Sequence, residues 1–239
     1  MRTIIFVADR YLKFLRFNYS MGNTKDVQEI YTTKVNLYHH VFFDILKYDR
    51  AVHSFFQNSN YVRSQFKILD AGCGSGLITK IVFKIAKEKK LAGVMFHAFD
   101  LTKAMLHIFR KWIKNNNLQN IELKQANVLK LEKLPKHWKN YDLIISSAML
   151  EYVSKEELKI ALSNLRNLLK PKGTMIIFIT KQNFVTNWLV RKWWKARTYN
   201  KNEMEQIFSE VGFKTISFKQ FLQPYTYLNF GMFIIEVKK

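Results

Sequence analysis

Hydrophobic residues recur along this chain with two alternating periods. Residues 65 to 71 (QFKILDA) are a short apolar run closed by a glycine turn, which predicts a buried strand. From Leu77 to Lys90, apolar residues fall at 77, 78, 81, 82, 85 and 86 with lysines between them, the spacing of a helix with one buried face. The same alternation predicts a strand at 94 to 100, a helix from Lys103 to Asn116 and strands at 121 to 126 and 141 to 148. Ser154-x-x-Glu157 forms a capping box for a helix running to Leu169. Lys170-Pro171-Lys172-Gly173 is expected to stop that helix before a fifth strand at 174 to 180. A helical region at 184 to 211 and two closely spaced strands, 213 to 221 and 227 to 239, complete the chain.

Strands that are apolar on both faces and separated by helices require a parallel sheet covered on each side. Right-handed crossovers then make it doubly wound. The expected fold is α/β, a mostly parallel seven-stranded Rossmann-like sheet with an antiparallel C-terminal strand and an N-terminal helical cap. Residues 1 to 60 are expected to form the helical extension and cap, and 61 to 239 the Rossmann-like domain, with no internal repeat or linker between them.

Composition narrows the class. With 48% hydrophobic and 24% charged residues, the chain is globular rather than disordered. No apolar run approaches the roughly 18 residues needed to cross a bilayer. The single cysteine, Cys73, rules out an internal disulfide framework, and a reducing cytoplasm is the expected location. The six histidines show no ligand spacing, so no metal is expected. A net charge of +21 invites a nucleic-acid reading, but it is carried by 30 lysines and 9 arginines scattered along the whole chain. Lysine is a point charge and arginine the bidentate phosphate reader, so charge alone does not choose the substrate.

The stretch KILDAGCGSGLIT (67 to 79) carries most of the chemistry. In open α/β sheets a ligand sits beyond the carboxyl ends of the strands, and the loop after the first strand is the expected place. Gly72, Gly74 and Gly76 allow close backbone approach to a ligand, beside the amides that open the next helix. Dinucleotide binding needs G-x-G-x-x-G, whereas this loop is G-x-G-x-G with Leu77 in the place of the third glycine. Asp70 would also set a carboxylate near a pyrophosphate. That carboxylate suits a cationic ligand with an ammonium group.

ILDAGCGSGLIT resembles the first motif of class I S-adenosylmethionine-dependent methyltransferases, V-L-D-x-G-C-G-x-G. Further landmarks follow in order: AFDLTKAML (98 to 106), QANVLKLEKLP (125 to 135), YDLIISSAMLEYV (141 to 153), LLKPKGTMII (168 to 177) and SEVGFK (209 to 214). The resemblance spans roughly residues 60 to 239 and implies S-adenosyl-L-methionine as cofactor. It also implies that Asp70 faces the methionine ammonium, directly or through water, while Gly72, Cys73, Gly74 and Gly76 pass under the methionine and ribose. Asp100 would accept both ribose hydroxyls, with Leu101 beside it in the cofactor site. Asn127 and Val128 would flank the adenine, and Ser146 and Ser147 would end the fourth strand beside the reactive methyl. Cys73 is expected to pack rather than to act as a nucleophile.

Transfer from a sulfonium is an in-line displacement that rests on holding acceptor and methyl in line, and a base is needed only if the acceptor must lose a proton. Base candidates are Glu151 and Tyr152 after the fourth strand, and Tyr31, Tyr38, His39 and His40 in the N-terminal helical segment. Absences narrow the acceptor. The Asp/Asn-Pro-Pro-aromatic motif of base-amino methylation is replaced by Ser-Ser-Ala-Met, the catalytic cysteine of cytosine C5 methylation is missing, and Glu151 has no partner glutamate as in arginine methylation. A small-molecule or lipid-like acceptor is expected. The alternatives are an RNA methyltransferase using the basic surface and a non-catalytic cofactor-binding module. In NWLVRKWWKAR (187 to 197), Leu189 with Trp193 and Val190 with Trp194 form i,i+4 pairs, giving either a lid, a helix on the sheet edge or a peripheral membrane contact. The N-terminal segment offers a second such membrane contact. No pattern specifies the oligomeric state.

Overall fold

In a computed structural model the structure describes residues 46–188 and 197–239. The compact unit that holds the sheet begins at Lys47. It opens with helix α1 (Tyr48–Gln57), which buries Tyr48, Ala51, Val52 and Phe56, a helical stripe that packs against the next helix. Strands β1 (Lys67–Ala71), β2 (Met95–Asp100), β3 (Ile121–Gln125) and β4 (Tyr141–Ser147) follow, with helix α2 (Leu77–Glu88) after β1 and α3 (Lys103–Asn115) after β2. Helix α4 (Lys155–Leu168), β5 (Leu169–Thr180), α5 (Lys201–Val211), β6 (Thr215–Lys219) and β7 (Met232–Lys238) complete the unit.

The sheet has seven strands in the order β3-β2-β1-β4-β5-β7-β6. Neighbours from β3 through β5 pair in parallel, while β7 runs antiparallel to both β5 and β6. The fold is thus the Rossmann-like sheet expected from the alternation of elements, with its reversed strand near one edge. The central strands are buried on both faces, since helices cover each side: Ile68, Leu69, Ile144, Ile176, Ile177 and Phe178 are at most 1% exposed. Each such side chain contributes about 1.5–3 kcal/mol by leaving water, so the sheet centre is the rigid base for anything mounted on its rim. Strand order reverses between β1 and β4, the switch point at which open α/β sheets hold ligands in the crevice beyond the carboxyl ends of the strands.

Local signals placed most boundaries. Ser154 Oγ accepts from the Glu157 amide at 3.2 Å and starts α4, and Asn200 Oδ1 accepts from the Glu203 amide at 2.8 Å to start α5. Gly212, with φ of 88°, ends α5 in the left-handed conformation that glycine adopts without strain.

Three expected boundaries differ. Lys170 to Gly173 do not precede β5 but bulge within it: Tyr141 pairs with Leu169, and the next β4 partner, Leu143, already pairs with Thr174. Pro171 has no N–H for the ladder, and a Cβ on Gly173 would lie 2.8 Å from the Tyr141 carbonyl oxygen, so the chain loops out here and rejoins. The last strand begins at Met232 rather than 227, because residues 226 to 230 wind into a 3-10 turn. The region 184 to 211 is not one helix: α5 begins only at Lys201, where Asn200 caps it. Of the expected N-terminal cap, residues 1–45, with Tyr31, Tyr38, His39 and His40, lie outside the described residues, as do the pairs Leu189/Trp193 and Val190/Trp194.

Candidate functional site

The β1 exit, the glycine loop and the start of α2 form one hydrogen-bonded unit. Helix α2 has Gly76 at its N-cap, which has no side chain with which to cap it. Asp70, buried at the end of β1, supplies the missing cap: its Oδ2 accepts from the Thr79 amide at 3.0 Å and from Thr79 Oγ1 at 2.7 Å. Its other oxygen, Oδ1, is buried without a hydrogen-bond partner. Burial pushes the Asp70 carboxyl up to about 6 against the opposing Thr79 bonds, and the nearby Asp100 charge adds to the rise. A buried carboxylate with one oxygen capped and one orphaned is poised for a cation, reached directly or through water.

The three glycines are not equivalent. A Cβ on Gly72 would lie 2.3 Å from Met149 Cγ, and one on Gly76 would lie 2.4 Å from the buried Phe109 ring, so both are required by packing. A Cβ on Gly74 would meet nothing within 4 Å, although its φ is +53°. Gly74 therefore faces open space, and it alone of the three is free to have a ligand against it. Cys73 packs beneath the loop, and burial raises its thiol far above the ordinary range. At neutral pH it is an uncharged packing group.

Asp100 closes the other side. Its Oδ2 accepts from the Gly74 amide and its Oδ1 from the Thr102 amide, both at 2.8 Å. Each carboxylate oxygen has a further lone pair, so the residue can pin the loop and still accept two hydroxyls. Leu101, next to it, is 63% exposed, a large apolar side chain held out of the core. Past β3, Asn127 Oδ1 accepts from the Leu129 amide at 3.0 Å in an Asx turn, leaving its amide NH2 as the donor. Val128 is buried, and its carbonyl accepts from Asn164 Nδ2 of α4 at 2.9 Å, which fixes the turn to the domain.

At the β4 exit, Ser146 Oγ is buried and without a hydrogen-bond partner, while Ser147 Oγ lies 2.8 Å from the Tyr48 hydroxyl of α1. The Tyr48 ring stands edge-on to Phe178 and Phe221. Ala148 follows at φ of 53°, a left-handed conformation that a residue with a Cβ holds at a cost of about 1–2 kcal/mol. Glu151 is buried rather than open to the crevice: its Oε1 accepts from the Thr180 amide at 2.6 Å and from Thr180 Oγ1 at 2.7 Å. It ties the β4 exit to the β5 exit, and burial pushes its carboxyl up to about 7.

The structure thus brings Asp70, Gly74, Asp100, Leu101, Asn127, Val128 and Ser147 to one rim. Tyr31 and His40 lie outside the described residues. Reading the sequence missed Thr79 and Tyr48. Thr79, at the third position of a helix with a glycine cap, was open to inference, whereas nothing in the sequence links Tyr48 to Ser147 across 99 residues. Together the orphaned Asp70 oxygen, the open Gly74 face and the two acceptors of Asp100 fit a ligand that carries an ammonium group and a vicinal diol.

A family model described as a methyltransferase domain matches residues 63–225. The chain is similar to a malonyl-(acyl-carrier protein) O-methyltransferase of Paenibacillus, 26% identical over 76% of this chain and 67% of that protein. It is also similar to a ubiquinone biosynthesis O-methyltransferase of Coxiella burnetii, 24% identical over 66% of this chain and 57% of the relative. The chain therefore spans only about two thirds or less of these relatives. Among solved structures, Phospholethanolamine N-methyltransferase 2 of Haemonchus contortus, in complex with phosphomonomethylethanolamine and S-adenosylhomocysteine, shares the fold. Its TM-score is 0.62 at 15% identity, covering 81% of this chain and 52% of that one.

Proposed function

The chain belongs to the methyltransferase-domain family, in its class I S-adenosylmethionine-dependent form, and on that premise we propose that it methylates an oxygen of a small-molecule acceptor. The observation that carries the reading is the rim itself: an open Gly74 face between an orphaned buried carboxylate oxygen and a carboxylate with two spare lone pairs. The sulfonium of bound S-adenosylmethionine supplies an already activated methyl group. The protein's own residues then have to bind, orient and exclude water.

Asp70 holds the methionine ammonium, and the desolvated charge that is costly in the free protein becomes paired when the cation arrives. Asp100 takes the ribose hydroxyls. Leu101 and Val128 would offer apolar contact to the adenine, and the Asn127 amide NH2 would be its donor. Ser147, positioned by Tyr48, faces the acceptor side. The acceptor oxygen is either a carboxylate, which is nucleophilic without a base, or a hydroxyl, which must lose its proton as the methyl is transferred. Oxygen is favoured because the two relatives compared are both O-methyltransferases, although each is longer than the segment matched here.

A second reading, a lipid-like acceptor, has one observation in its favour. Phe184 is 89% exposed and Phe230 is 52% exposed, and Asn183 Nδ2 donates to the Phe230 carbonyl at 2.8 Å, which joins the two segments that carry these exposed aromatics. Incubation with methyl-labelled S-adenosylmethionine and fractionated extract separates these readings. Label in the small-molecule fraction supports the proposal, with alkali-labile label marking an ester and alkali-stable label an ether. Label in the lipid fraction that Phe184→Ala abolishes favours the second reading, and label in RNA or protein overturns both.

A further inference from the structure

A cluster of metal-ligating side chains lies away from the cofactor rim. His97 of β2 and Glu122 of β3 are register partners across the parallel pair, so their side chains leave the same face of the sheet side by side. The connection before β4 brings His137 over them. His137 Nε2 lies 3.0 Å from Glu122 Oε2, and His97 Nε2 lies 3.6 Å from the same oxygen. One ligand atom from each of the three falls within 4.8 Å of the others. Around a tetrahedral zinc with bonds of roughly 2.0–2.1 Å, neighbouring ligand atoms stand about 3.3 Å apart. Two of the three spacings are therefore already those of a coordination sphere, and His137, 61% exposed, has room to complete the third.

The surroundings orient these groups as outer-shell partners do. His97 Nδ1 is 2.7 Å from the Tyr141 hydroxyl, and with Nδ1–H donated there its Nε2 presents a lone pair. Its ring stacks on Trp138 at 4.6 Å between centroids, and Trp138 Nε1 donates to Glu122 Oε2 at 3.2 Å. His97 is buried, and Glu122 Oε2 is the carboxylate oxygen that faces its Nε2 across the strand pair. The 3.6 Å gap exceeds hydrogen-bond reach. The opposing charges are Lys67, whose ammonium is held by the His137 and Lys139 carbonyls, and Lys124, 3.9 Å from Glu122 Oε1. Both weaken cation binding, and Lys124 approaches Glu122 Oε1 rather than the Oε2 that faces the imidazoles.

The geometry points to a binding site for one first-row transition-metal cation, of the zinc class, formed by His97 Nε2, the Glu122 carboxylate and His137 Nε2. Two imidazoles and one carboxylate select such ions over magnesium or calcium, which require oxygen. The site clips the connection between β3 and β4, which includes Asn127 and Val128, to the amino-terminal half of β2. It is independent of the methyl-transfer reading.

The test uses the full untagged chain, stripped with chelator and titrated with Zn2+ by calorimetry, with Co2+ as a spectroscopic probe. One Zn2+ per chain is expected, together with a Co2+ visible absorption band and no displacement by Mg2+. His137→Ala, at an exposed position, is expected to weaken binding about ten- to a hundredfold, and Glu122→Gln to do the same. The double variant His39→Ala/His40→Ala should leave binding unchanged, which excludes the other histidine pair as its source. Absence of stoichiometric binding to the wild-type chain, or binding that survives both His137→Ala and Glu122→Gln, overturns the proposal.

Discussion

Alanine at Gly74 and alanine at Gly76 are the same chemical change two residues apart, and the structure assigns them opposite consequences. Both positions have a left-handed φ, +53° and +88°, so a Cβ at either costs about 1–2 kcal/mol in backbone strain. Loss of glycine freedom in the unfolded chain returns about 0.4–1 kcal/mol of this. At Gly74 nothing lies within 4 Å of the added methyl, leaving a net loss of about 1 kcal/mol. At Gly76 the methyl meets Phe109 Cδ2 at 2.4 Å, and that ring is fully buried, so overpacking adds about 1–3 kcal/mol. For a domain of this size each kcal/mol lowers Tm by about 2–4 °C. Thermal denaturation should therefore show Gly74→Ala within a few degrees of wild type and Gly76→Ala well below it. Cofactor titration should show the reverse emphasis: Gly74→Ala folds but binds S-adenosylmethionine at least about tenfold more weakly, a loss of about 1.4 kcal/mol. Wild-type affinity in Gly74→Ala would refute the assignment of its open face to the ligand. Equal stability of the two variants would refute the packing role of Gly76.

Asp70 and Glu151 give pH-dependent predictions of one sign. Each has a folded-state pKa above its ordinary value, about 6 for Asp70 and about 7 for Glu151, so the folded state holds protons that the unfolded state has released. Their contribution to stability is fully present below about pH 4 and is lost as pH rises through 6 for Asp70 and 7 for Glu151. Asp70→Asn keeps an acceptor for Thr79 and removes the buried charge, so denaturant unfolding at pH 8 should show it more stable than wild type by up to about 3 kcal/mol, while it loses cofactor affinity. Because a bound ammonium lowers the Asp70 pKa, binding near pH 6 should release protons. Calorimetry in buffers of differing ionisation enthalpy should detect this in wild type and not in Asp70→Asn, and equal release in both would remove Asp70 from the ammonium site. Glu151→Gln retains the acceptor for Thr180, and as a strut it should leave kcat and the pH–rate profile unchanged. Loss of a limb near pH 7 would instead make Glu151 the general base.

The parallel core was legible in the sequence because burial on both faces writes itself as short apolar runs, and the five strands from 67 to 180 fell within a few residues of their expected places. Ser154 marked a helix start for a reason that is local to the chain. What was not legible depended on contacts distant in sequence. The bulge at Lys170–Gly173 brings Gly173 so close to the Tyr141 carbonyl on the neighbouring strand that a Cβ there would have no room. The motif Asp70-x-Gly-x-Gly-x-Gly points to a ligand loop, but only the neighbouring side chains Met149 and Phe109 separate two packing glycines from the one that faces space. Glu151 follows the fourth strand and reads as a mouth residue. Its burial against Thr180 depends on the exit of β5, to which no local pattern points. The six histidines show no spacing in the chain because His97, Glu122 and His137 meet through strand register and a returning connection.

Equilibrium binding of S-adenosylmethionine to wild type and Asp100→Ala tests the central claim most directly. Asp100 pins the Gly74 and Thr102 amides and is proposed to hold both ribose hydroxyls as well, and two charge-assisted hydrogen bonds are worth about 1.5–3 kcal/mol each. The account predicts one cofactor per wild-type chain, competed by S-adenosylhomocysteine, and affinity in Asp100→Ala lower by about a hundredfold or more. No binding by the wild-type chain, or equal binding by both proteins, would contradict it.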